Sequence, residues 1–164
     1  MVALRYAYLL ALVFWLGGLL TLGGLGAPAM FTALTGAHGT AGREMAGLAF
    51  GAVLRRFQLA SYACSAVMVV SLVSMAALGP RPVRLAIRVG IIAAMTLLTL
   101  YSGLVVGRRV EALRAQIGGA VAALPESDAR RVEFGRLHGL STMLLGLTAA
   151  GGLALLYWEA RTYE

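Results

Sequence analysis

The stretch that decides the fold is residues 57–80, FQLASYACSAVMVVSLVSMAALGP, which contain no Asp, Glu, Lys or Arg. An α-helix rises about 1.5 Å per residue and the hydrocarbon core of a bilayer is about 30 Å thick, so about 20 apolar residues cross it. Further charge-free runs lie at residues 6–42, 89–107 and 137–158. The sequence therefore predicts an all-α integral membrane protein, a four-transmembrane-helix bundle with short links.

The predicted spans cover about residues 4–25, 57–78, 83–106 and 135–158 and form a single membrane domain over residues 1–164. The chain is 60% hydrophobic and only 13% charged. We therefore expect no separate soluble domain. The first run is longer than the core of a usual signal peptide, so we expect the first span to be retained.

Proline and glycine predict where the spans end. Residues 26–28 (Gly-Ala-Pro) are expected to end the first span, and residues 30–42 are expected to form a turn or a short helix at the interface. Residues 79–82 (Gly-Pro-Arg-Pro) predict a tight link that makes the second and third spans antiparallel neighbours. Either Ser127 or Asp128 is predicted to cap the helix that leads into the fourth span.

All basic residues are Arg, and they flank the spans. This placement favours contact with anionic lipid headgroups and argues against nucleic-acid binding. The links after the first and third spans carry nine Arg, against five on the other side. The count predicts that these longer links lie in the cytoplasm and both termini outside. The expected location is a bacterial inner membrane.

Polar residues of all four helices meet at the predicted cytoplasmic ends of the spans. The Arg residues and the helix N-termini there favour an anion, either a lipid headgroup or a small anion. Ordinary positive-inside anchoring is the alternative. The candidate ligand-binding residues are His138, Arg55, Arg56, Arg108, Arg109, Arg136 and Ser141.

His138 lies one turn inside the predicted fourth span, where an ionisable group is a functional candidate. It can hydrogen-bond to another helix, contact an anion or carry a proton, or bind a metal or haem. A metal site uses several ligands, so a single His gives little support to that role. Arg88, one turn inside the third span, is predicted to extend back to the headgroups.

Sulfur-containing residues form a stripe on the second span. Soft sulfur ligands suit Cu(I), although Met is also a common filler of apolar cores. Both interpretations stay open. The candidate metal ligands are Cys64, Met68, Met75 and Met95.

Glycines spaced four or seven residues apart predict close helix packing. The Gly-rich face of the first span is expected to contact a neighbouring helix, a second copy or a partner subunit. The candidate packing residues are Gly17, Gly24, Gly103, Gly107, Gly135 and Gly139.

Short motifs along the chain resemble a known family. They are residues 15–18 (Trp-Leu-Gly-Gly), residues 27–31 (Ala-Pro-Ala-Met-Phe), residues 41–50, and Phe134-x-x-Leu137-His138-Gly139-x-Ser141. Together they resemble the transmembrane-protein-205-like group, catalogued as domain of unknown function 4149. The resemblance implies the four-helix layout and an activity that is poorly defined. Members often carry an Asn where residues 143–145 are Met-Leu-Leu, so the resemblance does not extend to the polar contacts around His138.

These observations favour a small binding or transport component, either a homo-oligomer or a subunit beside a membrane partner. The alternative is an accessory or assembly subunit of a larger membrane complex. A copper- or haem-linked membrane protein, including a redox enzyme that uses His138, is a second alternative. The sequence contains neither G-x-S-x-G nor H-E-x-x-H, so it favours no catalytic activity and requires no cofactor.

Overall fold

The computed structural model describes residues 1–79 and 84–161. Its α-helices are α1 (Val2–Thr21), α2 (Ala27–Leu78), α3 (Leu85–Tyr101), α4 (Arg108–Ile117) and α5 (Ala129–Arg161). Two π-helical segments, Leu22–Gly26 and Ser102–Gly107, join α1 to α2 and α3 to α4, and a 3-10 turn, Val121–Ala123, precedes α5. Within the described ranges the chain is entirely helical apart from short connections. The predicted link at residues 79–82 falls mostly outside them.

Three helical stretches of the described chain are long and apolar enough to cross a membrane, namely Val2–Leu78, Leu85–Ile117 and Ala129–Arg161. The predicted all-helical membrane fold is confirmed at this level. The count differs from the four separate helices predicted, because the first two apolar runs belong to one stretch of 77 residues.

The helix continues through Pro28, where the sequence predicted an end. A proline ring clashes with the carbonyl four residues earlier in an α-helix. The π-helical segment Leu22–Gly26 lies directly before this proline, and its last turn closes with the Ala27 N–H donating to the Leu22 carbonyl. This wider turn gives the ring room, so the backbone continues instead of breaking.

The Val2–Leu78 stretch folds back on itself at Gly39, which has the non-helical angles φ 59° and ψ −132°. Its two arms then lie side by side. A Cβ on Gly42 would overlap the Leu34 carbonyl, and one on Gly18 would overlap the Phe57 ring. The turn predicted within residues 30–42 is present at Gly39, but it is confined to this single glycine, and the rest of the segment belongs to the long helical arms rather than to a separate short helix.

The core lies between both hairpin arms, α3 and α5. Tyr8 and Trp15 from the first arm, Met68 from the second, Ile92 from α3 and Leu155 from α5 are at most 1% exposed and form one cluster. A second cluster packs the π-helical segment Ser102–Gly107 and α4 against α5. Antiparallel packing of α2 against α3 is fixed by a Ser65–Thr96 hydrogen bond and by Gln58 beside Gly103.

The helices are longer than a bilayer is thick. The span from Arg88 to Arg108 rises about 30 Å, the thickness of the hydrocarbon core. Each hairpin arm, at roughly 37 residues, is about 55 Å long. We call the part of the molecule beyond the level of Arg108, residues 23–54 and 109–136, the hairpin end. The opposite end, which contains Arg5, Arg88 and Glu159, is called the terminal end.

Candidate functional site

The five predicted ligand-binding Arg residues lie around the hairpin end without converging on one enclosed cavity. All of them are exposed: Arg55, Arg56, Arg108, Arg109 and Arg136. Arg55 forms an ion pair with Glu111, which ties the second hairpin arm to α4. Arg109 borders an open depression of about 260 Å³ that Glu133 and Leu137 also line.

His138 is exposed on α5, whereas the preceding Leu137 is 5% exposed and packs in the smaller core cluster. The imidazole therefore points away from the bundle axis. The carbonyl of His138 accepts a hydrogen bond of 3.0 Å from the Thr142 hydroxyl, and Ser141 is half-buried. Within the described residues no hydrogen bond to the imidazole is present, so its role stays a prediction.

The four predicted sulfur ligands share the main core cluster. Met68 and Met95 are at most 1% exposed, and Cys64 and Met75 pack against the same cluster. The described part of the chain holds no group of three or more His, Cys, Asp or Glu arranged for a metal ion. Copper binding by these sulfurs stays a prediction.

The predicted packing glycines have different surroundings. A Cβ on Gly103 would lie 2.8 Å from the Gln58 Oε1 atom, so α2 and α3 approach closely there. Beside Gly107 the nearest atom is the Ser102 carbonyl of its own helix. The space next to the other four is open: Gly17, Gly24, Gly135 and Gly139.

A buried charge cluster lies at the terminal end, where the sequence predicted no site. Glu159 Oε2 is 2.7 Å from Arg88 Nη1, and Glu159 Oε1 is 2.7 Å from Arg5 Nη2. The Arg88 and Glu159 side chains are 8% and 6% exposed, and Arg5 is 35% exposed. The cluster joins α1, α3 and α5. The prediction that Arg88 extends to the headgroups is wrong, because its guanidinium turns inward to a carboxylate.

The sequence contains a signal for this cluster that becomes visible only when two spans are compared. Glu159 is the first acidic residue after the charge-free run at residues 137–158, and Arg88 directly precedes the run at residues 89–107. In antiparallel neighbours these two positions lie at the same depth. A buried charge is stable only when it is paired. Two residues of opposite charge at the same depth on neighbouring helices therefore predict an ion pair.

Polar groups also lie inside the bundle. Thr96 donates to the Ile92 carbonyl at 2.7 Å, so the 2.6 Å contact between its hydroxyl and Ser65 is a hydrogen bond that Ser65 donates. The Tyr8 hydroxyl and the Trp15 indole N–H are buried without a hydrogen-bond partner among the described residues. The interior of the bundle is thus apolar apart from a few buried polar atoms.

Asp128 caps α5, as one of the two predicted alternatives. Its carboxylate accepts hydrogen bonds from the Arg130 backbone N–H at 2.8 Å and from the Arg130 side chain. These contacts lower the pKa of Asp128 from 3.8 to about 2 and raise the pKa of Arg130. Arg131 donates to the Leu124 carbonyl at 2.7 Å and holds the connection from α4 against the start of α5.

Long apolar helices, paired interior charges and a belt of exposed Arg residues at one end define a multi-pass membrane protein. This Arg belt consists of Arg56, Arg108, Arg109 and Arg136. A family model described as Domain of unknown function (DUF4149) matches residues 10–119, about two thirds of the chain. The chain belongs to this family. No curated protein and no solved structure matches it. The matched residues end before α5, so His138 and Ser141 lie outside them.

Proposed function

We propose that this chain is a four-pass membrane protein that works as a binding component, with the hairpin end as its docking element. Each hairpin arm crosses once, and Leu85–Ile117 and Ala129–Arg161 cross once each. The lengths of the arms and their side-by-side packing support this arrangement. The Arg count supports an orientation with the longer links in the cytoplasm and both termini outside, and location in a bacterial inner membrane belongs to the proposal.

The observation that carries the proposal is the apolar character of the projecting hairpin. Between residue 23 and Gly39 each arm extends about 24 Å past the level of Arg108. Residues 23–54 contain only Arg43 and Glu44 as charged residues. Leu25, Met45 and Leu48 are 70%, 51% and 56% exposed. Apolar surface of this kind outside the bilayer marks an interaction site, because water disfavours it.

The Arg belt supports the same orientation. Arg56, Arg108, Arg109 and Arg136 lie near one level of the bundle and are exposed. Each Arg near an anionic membrane surface contributes about 1 kcal/mol of attraction. Four of them hold the bundle at a fixed depth, so the hairpin stays outside the bilayer. Binding of anionic headgroups at this belt, with His138 at the same level, belongs to the proposal.

Transport by a single copy of the chain is less well supported than binding. Trp15, Met68 and Leu155 are fully buried between the helices and close the bundle axis. A polar path therefore needs several copies or a partner subunit. The copper- or haem-linked alternative rests on the clustered sulfurs and on His138, and elemental analysis of purified protein tests it. The narrower relation to the transmembrane-protein-205-like group rests on residues 15–18 and 27–31.

Site-specific photocrosslinking in native membranes tests the docking proposal. A photoreactive side chain replaces Leu48 at the hairpin end or, as the control, Leu147, which is 51% exposed on the membrane-spanning part of α5. We expect a discrete protein adduct at position 48 and none at position 147. An adduct of twice the chain mass identifies a second copy, and any other mass a partner subunit. Labelling of lipid alone at position 48 would contradict the proposal.

A further inference from the structure

An open groove runs along the outer surface of the hairpin, between α1 and the second arm. Its volume is about 520 Å³, within the range of about 300–1,000 Å³ that is usual for small-molecule sites. The walls are apolar, and Arg56 is the only charged residue among them. The residues that carry the argument are Val13, Phe14, Gly17, Leu22, Phe57 and Arg56.

Two adjacent glycines explain why this groove exists. Phe57 packs so closely on Gly18 that a Cβ there would overlap its ring, and this contact sets the spacing between the arms. Gly17 has nothing within 4 Å of a Cβ position, so the groove stays open above it. The rings of Phe14 and Phe57, with centroids 6.4 Å apart, lie along its length.

The groove has the depth of one leaflet. From Val13 to Leu22 the helix rises about 14 Å, close to half of the bilayer core of about 30 Å. Leu22 and Val53 lie at the end of the groove nearest the hairpin end, and Arg56 lies about one turn inside that end, opposite Leu19. The apolar part toward Val13 is therefore inside the leaflet, and the long Arg56 side chain extends from within the groove toward the level of the headgroups.

The charge of the lining residues indicates which kind of molecule binds in the groove. Arg55 pairs with Glu111, whereas Arg56 has no ion pair within the described residues, and the lining contains no acidic residue. We propose that the groove binds an anionic phospholipid, with one acyl chain over Gly17 and the phosphate at Arg56. A phosphate suits a guanidinium because the two form parallel charge-assisted hydrogen bonds.

The same charge disfavours a second copy as the occupant. In a two-fold contact through this groove, each copy would bring its own Arg56 to the interface. Like charges face to face oppose association. A lipid phosphate instead neutralises the guanidinium. This inference rests, through Arg56, on the headgroup binding proposed for the Arg belt, whereas it does not depend on the docking proposed for the projecting hairpin end.

Native mass spectrometry tests the proposal. The protein is released from membranes that contain equal amounts of phosphatidylglycerol and phosphatidylethanolamine. We expect retained lipid with a roughly fivefold preference for phosphatidylglycerol, the ratio that one Arg near a headgroup provides. Gly17→Leu fills the groove and abolishes retention. Its control, Gly146→Leu on α5, also enters open space and retains lipid as the unmodified chain does.

A second pair of variants separates the acyl chain from the headgroup. Arg56→Gln keeps the bound lipid but loses the preference for phosphatidylglycerol, whereas Arg55→Gln leaves both unchanged. Retention by Gly17→Leu equal to that of Gly146→Leu would overturn the proposal. So would a preference that survives Arg56→Gln. A dimer that Gly17→Leu dissociates without any change in bound lipid would assign the groove to a second copy instead.

Discussion

Removing the carboxylate at the centre of the buried charge cluster is expected to destabilise the fold strongly. In Glu159→Ala, Arg88 and Arg5 lose a partner that lies 2.7 Å from each of them. Breaking a buried ion pair on one side costs about 3–5 kcal/mol, because the remaining charge stays desolvated. Arg88 can reach the nearby headgroups in the variant, and Arg5 is already partly exposed. Both effects place the expected loss near the lower limit, at about 3 kcal/mol.

Thermal unfolding in detergent measures this loss. For a chain of this size, 1 kcal/mol corresponds to about 2–4 °C in Tm, so we expect Tm to fall by about 6–12 °C. Glu111→Ala is the matched control, because it removes the partner of Arg55 from a pair whose side chains are 62% and 55% exposed. An exposed pair contributes at most about 1 kcal/mol, so this Tm should fall by less than about 4 °C.

Two further variants make the reasoning refutable. Glu159→Gln keeps the hydrogen-bond acceptor and loses the charge, so its Tm should lie between those of Glu159→Ala and the unmodified chain. Replacing the pair together, as Arg88→Met with Glu159→Leu, should recover most of the loss, because apolar residues need no counter-charge. If Glu159→Ala and Glu111→Ala lowered Tm equally, the buried cluster would not stabilise the terminal end.

Three other outcomes are expected. Gly42→Ala should disrupt the hairpin tip, because its Cβ would overlap the Leu34 carbonyl of the other arm, whereas Gly36→Ala, which enters open space, should not. Disulfide crosslinking between cysteines placed on the two arms measures the effect. Equal crosslinking in both variants would refute the prediction. Ser65→Ala should lower the free energy of unfolding by about 0.6–2 kcal/mol, because it removes the hydrogen bond to Thr96. A double-mutant cycle with Thr96→Val should show that the two losses are not additive. Additive losses of stability in the double variant would contradict this assignment. Asp128 has its pKa lowered to about 2 in the fold, so its cap contributes above about pH 4 and is lost as pH falls from there through about 2. The protection factors for hydrogen exchange at the start of α5, which are corrected for the intrinsic pH dependence of exchange, should therefore fall in acid, and in Asp128→Asn this fall should disappear.

Much of the fold was predictable because it depends on local composition. The charge-free run at residues 57–80 predicts a membrane helix from its composition alone, whatever the rest of the chain does. Asp128 is likewise recognisable as the capping residue that precedes α5. The continuation through Pro28 was not predictable from the residue type. It depends on a wider turn in the preceding residues, and a proline is compatible with either a break or a π-helical bulge.

The sites were less predictable because they depend on pairs of helices. The single spans show Arg88 as an isolated charge, and only the packing of α3 against α5 brings Glu159 to it. The exposed position of His138 likewise follows from which face of α5 meets the core. The groove at Gly17 requires both arms of a hairpin whose reversal at Gly39 has no periodic signal.

The two π-helical segments, Leu22–Gly26 and Ser102–Gly107, both lie near the level of the Arg belt. Each π turn holds about one residue more than an α turn, so the side chains beyond it are rotated by about 100° from the course of a straight helix. On the first arm and on the stretch from α3 to α4, the faces that pack in the membrane-spanning part are therefore not the faces that pack in the hairpin end. The second arm and α5 pass through both parts as continuous α-helices without such an offset. Loss of one residue within 22–26 would therefore rotate the first arm beyond it by about 100° against the second arm, and Gly39 would no longer join the two arms in register.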